Sequence, residues 1–213
     1  PANGLVWRAI TEFIDRPGTE NDFVSCDDTA RDIFKKHQWN IGGGGATGLL
    51  DLIEVGSIKR LTDVAEVYGG TGRTSADEAL LANSAALQRR AVEPHVVMEL
   101  VEGDQVRDWQ IAQGNAILTP YFGGGLIAIS DLPMANRWLW PSRTVLGSRV
   151  TFSKKTYFEE GRSWWSWHQI NVSRLKYDYV ITFPFVATHN HFALDRGGKV
   201  FKQTAPVIKL RAG

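Results

Sequence analysis

The sequence predicts an α+β fold: a helical N-terminal lead-in over roughly 1–57, then a mixed, mostly antiparallel strand-rich domain over roughly 58–213. Three observations predict it. Helical spacing of apolar residues fills the first part, as in "LVWRAITEFI". After Lys59 the apolar runs turn short, β-branched or aromatic, and punctuated by glycine. The sign of the charge also switches along the chain.

In order, "LVWRAITEFI" reads as a first helix, and "SCDDTARDIFKKH" as a second with Ser25 or Asp27 as its cap. "WNIGGGGATGLLDLIE" breaks the helix and restarts it, with Leu49, Leu50, Leu52 and Ile53 as the apolar positions. "LTDVAEVYGG", "HVVMELVEG", "AILTPY" and "GLIAIS" read as strands. "ANRWLWPSRTVLGSRV" reads as a helix interrupted or restarted at Pro141. "DYVITFPFVATHNHFALD", "KVFKQT" and "PVIKL" close the chain as strands, with no internal repeat.

The 213 residues hold one cysteine, Cys26, which excludes an internal disulfide and fits a reducing cytoplasm. No apolar run approaches the ~20 residues of a membrane span, so no membrane partner is expected. The start at Pro1 reads as that of a processed or excised piece. The net charge of +1 conceals an asymmetry. Residues 1–136 carry 11 Lys and Arg against 19 Asp and Glu, whereas 137–213 carry 13 against 4. That imbalance predicts a polyanionic partner for the C-terminal third, unless the two halves neutralise each other within the fold.

Gly43-x-Gly45-x-x-Gly48 matches the dinucleotide fingerprint only formally. "KKHQWN" precedes it where a buried strand is required, so a glycine connector is the better reading. No phosphate-loop or Gly-x-Ser-x-Gly motif occurs, and neither does Asn/Asp/Ser-Pro-Pro-Tyr/Phe. His189 and His191 would share one face of a strand with Asp195, a possible facial metal set and hence a metal-dependent enzyme as an alternative. His-x-His is a weak signal and no metal is expected. In "DRGGKV" the glycines suit a two-residue hairpin turn, with Arg196 and Lys199 facing each other at a cationic tip unless Asp195 folds over.

Aromatic and basic residues interleave downstream of Arg137: Trp138, Trp140, Tyr157, Phe158, Trp164, Trp165 and Trp167 among Arg143, Arg149, Lys154, Lys155 and Arg162. Most such rings are core, and one or two exposed members suffice to stack on bases. The loop "YGGTGRTSADEA" offers Arg73, Thr71, Thr74 and Ser75 to phosphates or base edges.

The order of "RLTDVAEVYGGTGRTSADEA", "VEGDQVRDWQI", "AILTPY", "LWPSRTVLGSRV" and "HNHFALDRGGKVFKQTAPVIKL" resembles the target-recognition (specificity) region of adenine-specific DNA methyltransferases. The nearest sets are the type IIG restriction–modification and BREX phage-defence methylases. The resemblance spans about 59–210, and "LDRGGKVF…APVIKL" is its most specific part. Gly103, Asp104, Val106 and Trp109 match a family pattern, with Arg107 inside it.

The resemblance implies a specificity domain over 58–213 and, over 1–57, a helical connector from a catalytic domain outside this chain. It implies double-stranded DNA as partner and a bacterial or archaeal cytoplasm. S-adenosylmethionine would serve the parent, which transfers methyl to adenine N6 with or without endonuclease activity, while this chain has no catalysis of its own. The expected DNA contacts are Arg73, Thr74, Arg107, Lys154, Lys155, Arg162, Arg196 and Lys199. A protein-binding module docked through the acidic half is the remaining alternative.

Overall fold

The computed structural model describes residues 4–35 and 46–211. Chain contacts divide it into two units, Pro1–Arg60 and Leu61–Gly213.

In the first unit the helix Leu5–Phe13 forms as its spacing predicts. The second predicted helix does not. Ser25 and Cys26 pair instead with Thr19 and Glu20 in a small antiparallel ladder. The Asn21 side chain accepts from the Phe23 and Val24 amides and closes that turn, so among the described residues of that stretch only one 3-10 segment, Arg31–Lys35, is helical. Ala46–Gly56 is the restarted helix, and Leu49, Leu50, Leu52 and Ile53 on it are exposed. Gly43, Gly45 and His37 lie outside the described residues.

The second unit is built on two four-stranded sheets. One, all antiparallel, has the order Ala193–Asp195, Val180–Thr182, Val207–Leu210, Ala65–Tyr68. The other has the order Lys199–Phe201, Val97–Val101, Ala116–Leu118, Leu81–Ala82, with only its first pair parallel. The strands are shorter than the apolar runs suggest. "LTDV" is a helical turn before Ala65–Tyr68, and "GLIAIS" yields Gly125–Leu126 followed by a 3-10 turn. Pro141 does restart the helix: Pro133–Leu139 passes through a 3-10 turn, Trp140–Ser142, into Arg143–Gly147.

"LDRGGKVF" is not a hairpin. Ala193–Asp195 and Lys199–Phe201 do not pair with each other but form edges of different sheets. Gly197 and Gly198 do take the left-handed backbone expected of them, φ +87° and +75°. They use it to carry the chain across from one sheet to the other, and Val207–Leu210 then returns it. Local turn chemistry is the same for both outcomes, so the sequence motif could not separate them. Asp195 locks the crossing by accepting from the Gly197 amide (2.7 Å) and pairing with Lys199 (2.7 Å). Val101 and Phe201 from one sheet pack with Val180, Ala193 and Val207 from the other.

A larger cluster, including Leu80, Leu100, Ile117, Leu139, Leu146, Trp164 and Trp167, fills the space between the second sheet and the helices. Arg149 sits at its rim with only 7% of its surface exposed. Its Nε donates to the Leu146 carbonyl (2.7 Å), Nη1 to Thr74 (2.6 Å), and Nη2 to Trp164 (2.7 Å) and Ser166 (2.8 Å). One planar fork thus ties together a helix end, the 70–76 loop and the aromatic segment. Burial pushes the guanidinium's pKa below its ordinary value, with Tyr157, Tyr121 and Glu78 acting the other way.

Two stability outcomes follow. A Cβ at Gly197 would collide with the Tyr177 carbonyl, whereas Gly198 faces open space. Gly198→Ala should cost about 1 kcal/mol from its φ alone, and Gly197→Ala about 2–4 kcal/mol because backbone must also move. Equal losses in urea titrations would contradict this account of the crossing. Arg149→Met orphans four carbonyls and should cost about 3 kcal/mol or more. Arg149→Lys, with no fork, should also lose at least about 2 kcal/mol, read as a lower urea midpoint at unchanged m-value.

Candidate nucleic-acid interface

The 152–168 segment is irregular because its chain is held by side chains rather than ladders. Thr151 and Ser153 hydroxyls both donate to the Glu160 carboxylate, and Thr156 donates from amide and hydroxyl to Glu159. Hydrogen bonds from Ser153 and Thr151 hold the Glu160 pKa below its ordinary value, and those from Thr156 do the same for Glu159. Lys154 takes a left-handed φ of +63° in the same turn.

Most of the rings are core. Tyr157, Trp164 and Trp167 are buried, and the indole N–H groups of Trp165 and Trp167 donate to the Ile127 and Leu118 carbonyls. Among the rings of the segment and its flanks, Phe152 and Trp140 are well exposed, at 77% and 59%. Phe152 was not among the aromatics singled out by sequence. Its ring lies 5.2 Å from that of His168.

Tyr157 lies between two guanidiniums, Arg149 at 4.3 Å and Arg162 at 4.6 Å from its ring centre. Its hydroxyl reaches Nδ1 of His168 (3.3 Å). From the other side, Gly72–Arg73 pairs antiparallel with Gln169–Ile170, so the 70–76 loop is fixed next to His168. Desolvation lowers the His168 pKa, and the charges of Arg149, Arg162 and Arg73 push it further down. Arg73, Arg162 and His168 therefore share one electrostatic neighbourhood, with Phe152 on the imidazole and Lys154 and Lys155 in the adjoining turn. Sequence spacing gave no sign of His168, because a long-range strand pair places it.

The other expected contacts are disposed differently. Arg196 is exposed beside the sheet crossing. The Thr74 side chain is buried and donates to Asp77. Arg107 folds back so that Nη1 donates to the Gly103 (2.7 Å) and Val106 (2.6 Å) carbonyls. Lys199 pairs with Asp195 and, at 3.7 Å, with Glu99.

Beside Arg73 lies a cavity of about 470 Å³ that also touches Asp77, Glu102, Trp167 and Lys202. Lys202 bridges Asp77 (2.8 Å) and Glu102 (2.7 Å). Burial raises the Asp77 pKa, but hydrogen bonds from Lys202 and Thr74 outweigh it and hold the carboxyl below its ordinary value.

The His189/His191/Asp195 set does not assemble. Residues 183–192 form no strand, and Asp195 is committed to Gly197 and Lys199. The two imidazoles do approach, with ring centres 4.4 Å apart, but their carboxylate neighbour is Asp108. His191 Nδ1 lies 3.3 Å from that carboxylate and accepts the Asp108 amide at 3.2 Å. The imidazole thereby braces the Asp108–Trp109 turn, where both residues have positive φ.

No family model matches the chain. It is 44% identical over 212 residues to the adenine-specific methyltransferase PglX of Streptomyces coelicolor, covering 99% of this chain and 17% of PglX. The chain therefore spans about a sixth of that relative's length. A solved structure of the type IIL restriction–modification enzyme MmeI in complex with DNA aligns with 74% of this chain and 20% of its own, at TM-score 0.49 and 11% identity. The PglX match covers nearly the whole chain and meets the resemblance carried by the motif order: this chain is a relative of one segment of an adenine-specific methyltransferase.

Proposed function

We propose that the chain is the DNA-binding, target-recognition module of an adenine-N6 DNA methyltransferase, and that it holds duplex DNA for methyl transfer by a domain outside the chain. The convergence of Arg73 and Arg162 on His168, beside Lys154 and Lys155, carries this reading. Glu160 offsets Arg162 and Lys155 in part, and phosphates would favour the cations that remain exposed. The exposed Phe152 adds an apolar face for sugar or base. A polar target amino group inside a duplex is reached only by extruding the base, which requires a module that grips the flanking backbone. S-adenosylmethionine would bind the parent's catalytic domain, and the parent would act in restriction–modification or BREX-type defence within the cytoplasm. The metal-enzyme alternative with Asp195 as its carboxylate is not assembled, Asp108 standing beside the two histidines instead, and no observation favours the protein-docking alternative.

If this face together with the exposed Arg196 neutralises about five phosphates, they contribute a slope of roughly −4 to −5 to log K against log salt. Arg73→Ala/Lys154→Ala/Arg162→Ala should flatten the observed slope by about 3; fluorescence anisotropy with duplex oligonucleotides checks it. Weak, salt-insensitive binding by the unmodified chain would end this reading.

The pH dependence has a definite sign. In the free protein His168 is neutral through its lowered pKa, set by burial and by Arg149, Arg162 and Arg73. A nearby phosphate raises that pKa, so binding takes up a proton and affinity should rise as pH falls below about 6.5. His168→Asn should abolish that rise while leaving affinity at pH 8 little changed. Conversely, the free fold should lose stability as pH drops below the ordinary histidine range, since the unfolded chain binds the proton better.

A further inference from the structure

A second cationic feature lies away from that face, in residues the charge balance of the sequence passes over. The helix Ser84–Arg89 ends in Arg89 and its cap Arg90, and Arg137 projects from Pro133–Leu139. All three arginines line one open cavity of about 500 Å³ with Met134, Trp138 and Pro141.

Glu93 brings the helices together. Its carboxylate accepts the Met134 amide at 2.8 Å and the Ala135 amide at 2.9 Å, which docks the start of the second helix beside the end of the first. That use also commits the acid nearest in sequence to Arg89 and Arg90. The three guanidiniums make no hydrogen bond or ion pair with any described residue, and all three are exposed. Ala91 follows Arg90 with a left-handed φ of +53°. The Ala91 amide donates to Gln88 and the Val92 amide to Leu87, so the chain turns sharply and leaves the two arginines at the rim.

Like charges gathered in one concavity repel, and apolar walls strengthen their field. Apart from the arginines, the lining is alanine, methionine, tryptophan and proline. It offers no hydroxyl, amide or carboxylate side chain, so its polar groups are the three guanidiniums alone, all donors set for an anion. The guanidinium fork fits a phosphate's oxygens in paired hydrogen bonds.

We infer that Arg89, Arg90 and Arg137, with Trp138 as the apolar wall, form a sequence-independent phosphodiester site for the DNA backbone. The inference rests on the DNA-binding reading above and adds a second contact surface to it. It positions the duplex and reads no sequence.

The test compares the whole chain with two triple variants in duplex binding across salt, each first checked by circular dichroism and thermal unfolding. With both surfaces engaged, the unmodified chain should lose about 10⁴-fold in affinity between about 50 and 200 mM salt. Arg89→Ala/Arg90→Ala/Arg137→Ala should lose only several hundred-fold over that range, roughly three counterions fewer. The corresponding triple lysine variant should stay close to the unmodified slope, since it keeps the charge. An alanine variant whose slope matches the unmodified chain overturns this site, even while Arg73→Ala/Lys154→Ala/Arg162→Ala still flattens it. A lysine variant as impaired as the alanine one also overturns it, because packing rather than charge would then be at work. Absence of duplex binding by the unmodified chain is a different result, and it removes the DNA-binding reading itself.

Discussion

The Arg149 guanidinium organises the second unit. Its four carbonyl acceptors come from the 143–147 helix, the 70–76 loop and the segment around Trp164 and Ser166. None of these three segments has enough ladder pairing to position itself. The loop contributes a two-residue strand, and the aromatic segment contributes turns. A buried charge without an acid partner is costly, so the fold must supply all of its acceptors or exclude it. Once supplied, they fix where Tyr157, Arg162, Arg73 and His168 meet. Candidate interface and structural anchor share one ring, Tyr157, with the buried arginine on it at 4.3 Å and the exposed one at 4.6 Å.

The glycine crossing solves a second problem. Two small sheets in one unit need a core between them and a connection that does not fray. Asp195 provides the connection by binding both the Gly197 amide and the Lys199 ammonium. The run that most specifically carried the family resemblance is the run that visits one sheet, the other, and then the first again. Its motif residues are thus explained by architecture. Lys199 is tied into that architecture, whereas Arg196, one residue before the glycines, is left exposed.

Much of the fold was legible because its signals are local. The helix at Leu5–Phe13, the break at Pro141 and the strands around Val97–Val101 and Val207–Leu210 follow from spacing and breakers within a few residues. Partner choice was not legible. "DRGGKV" has the turn residues of a hairpin, yet strand pairing is decided by what lies across each edge, and Val97–Val101 attracts Lys199–Phe201 in parallel. His-x-His implies a shared face only on a strand, and the 183–192 stretch, with Pro184 in it, forms none. The aromatic–cation interleaving marks the segment that holds the Tyr157 ring and its two arginines. It could not say which member is buried, and so it treated Arg149 and Arg162 alike.

Charge bookkeeping shows the same limit more sharply. The split between an acidic first part and a basic C-terminal third is partly cancelled by long-range pairs: Lys202 joins Asp77 and Glu102, and Lys199 joins Glu99. These pairs connect lysines of the basic third to acids of the acidic part, so the internal-neutralisation reading holds for them. It fails for the exposed arginines. Arg73, Arg89 and Arg90 belong to the acidic part by sequence, and Arg137 opens the basic one. Folding brings Arg73 beside Arg162, and Arg89 and Arg90 beside Arg137, and leaves these arginines exposed. Net charge along the chain averages over these pairs, and the cations that the folded chain leaves exposed are drawn from both halves.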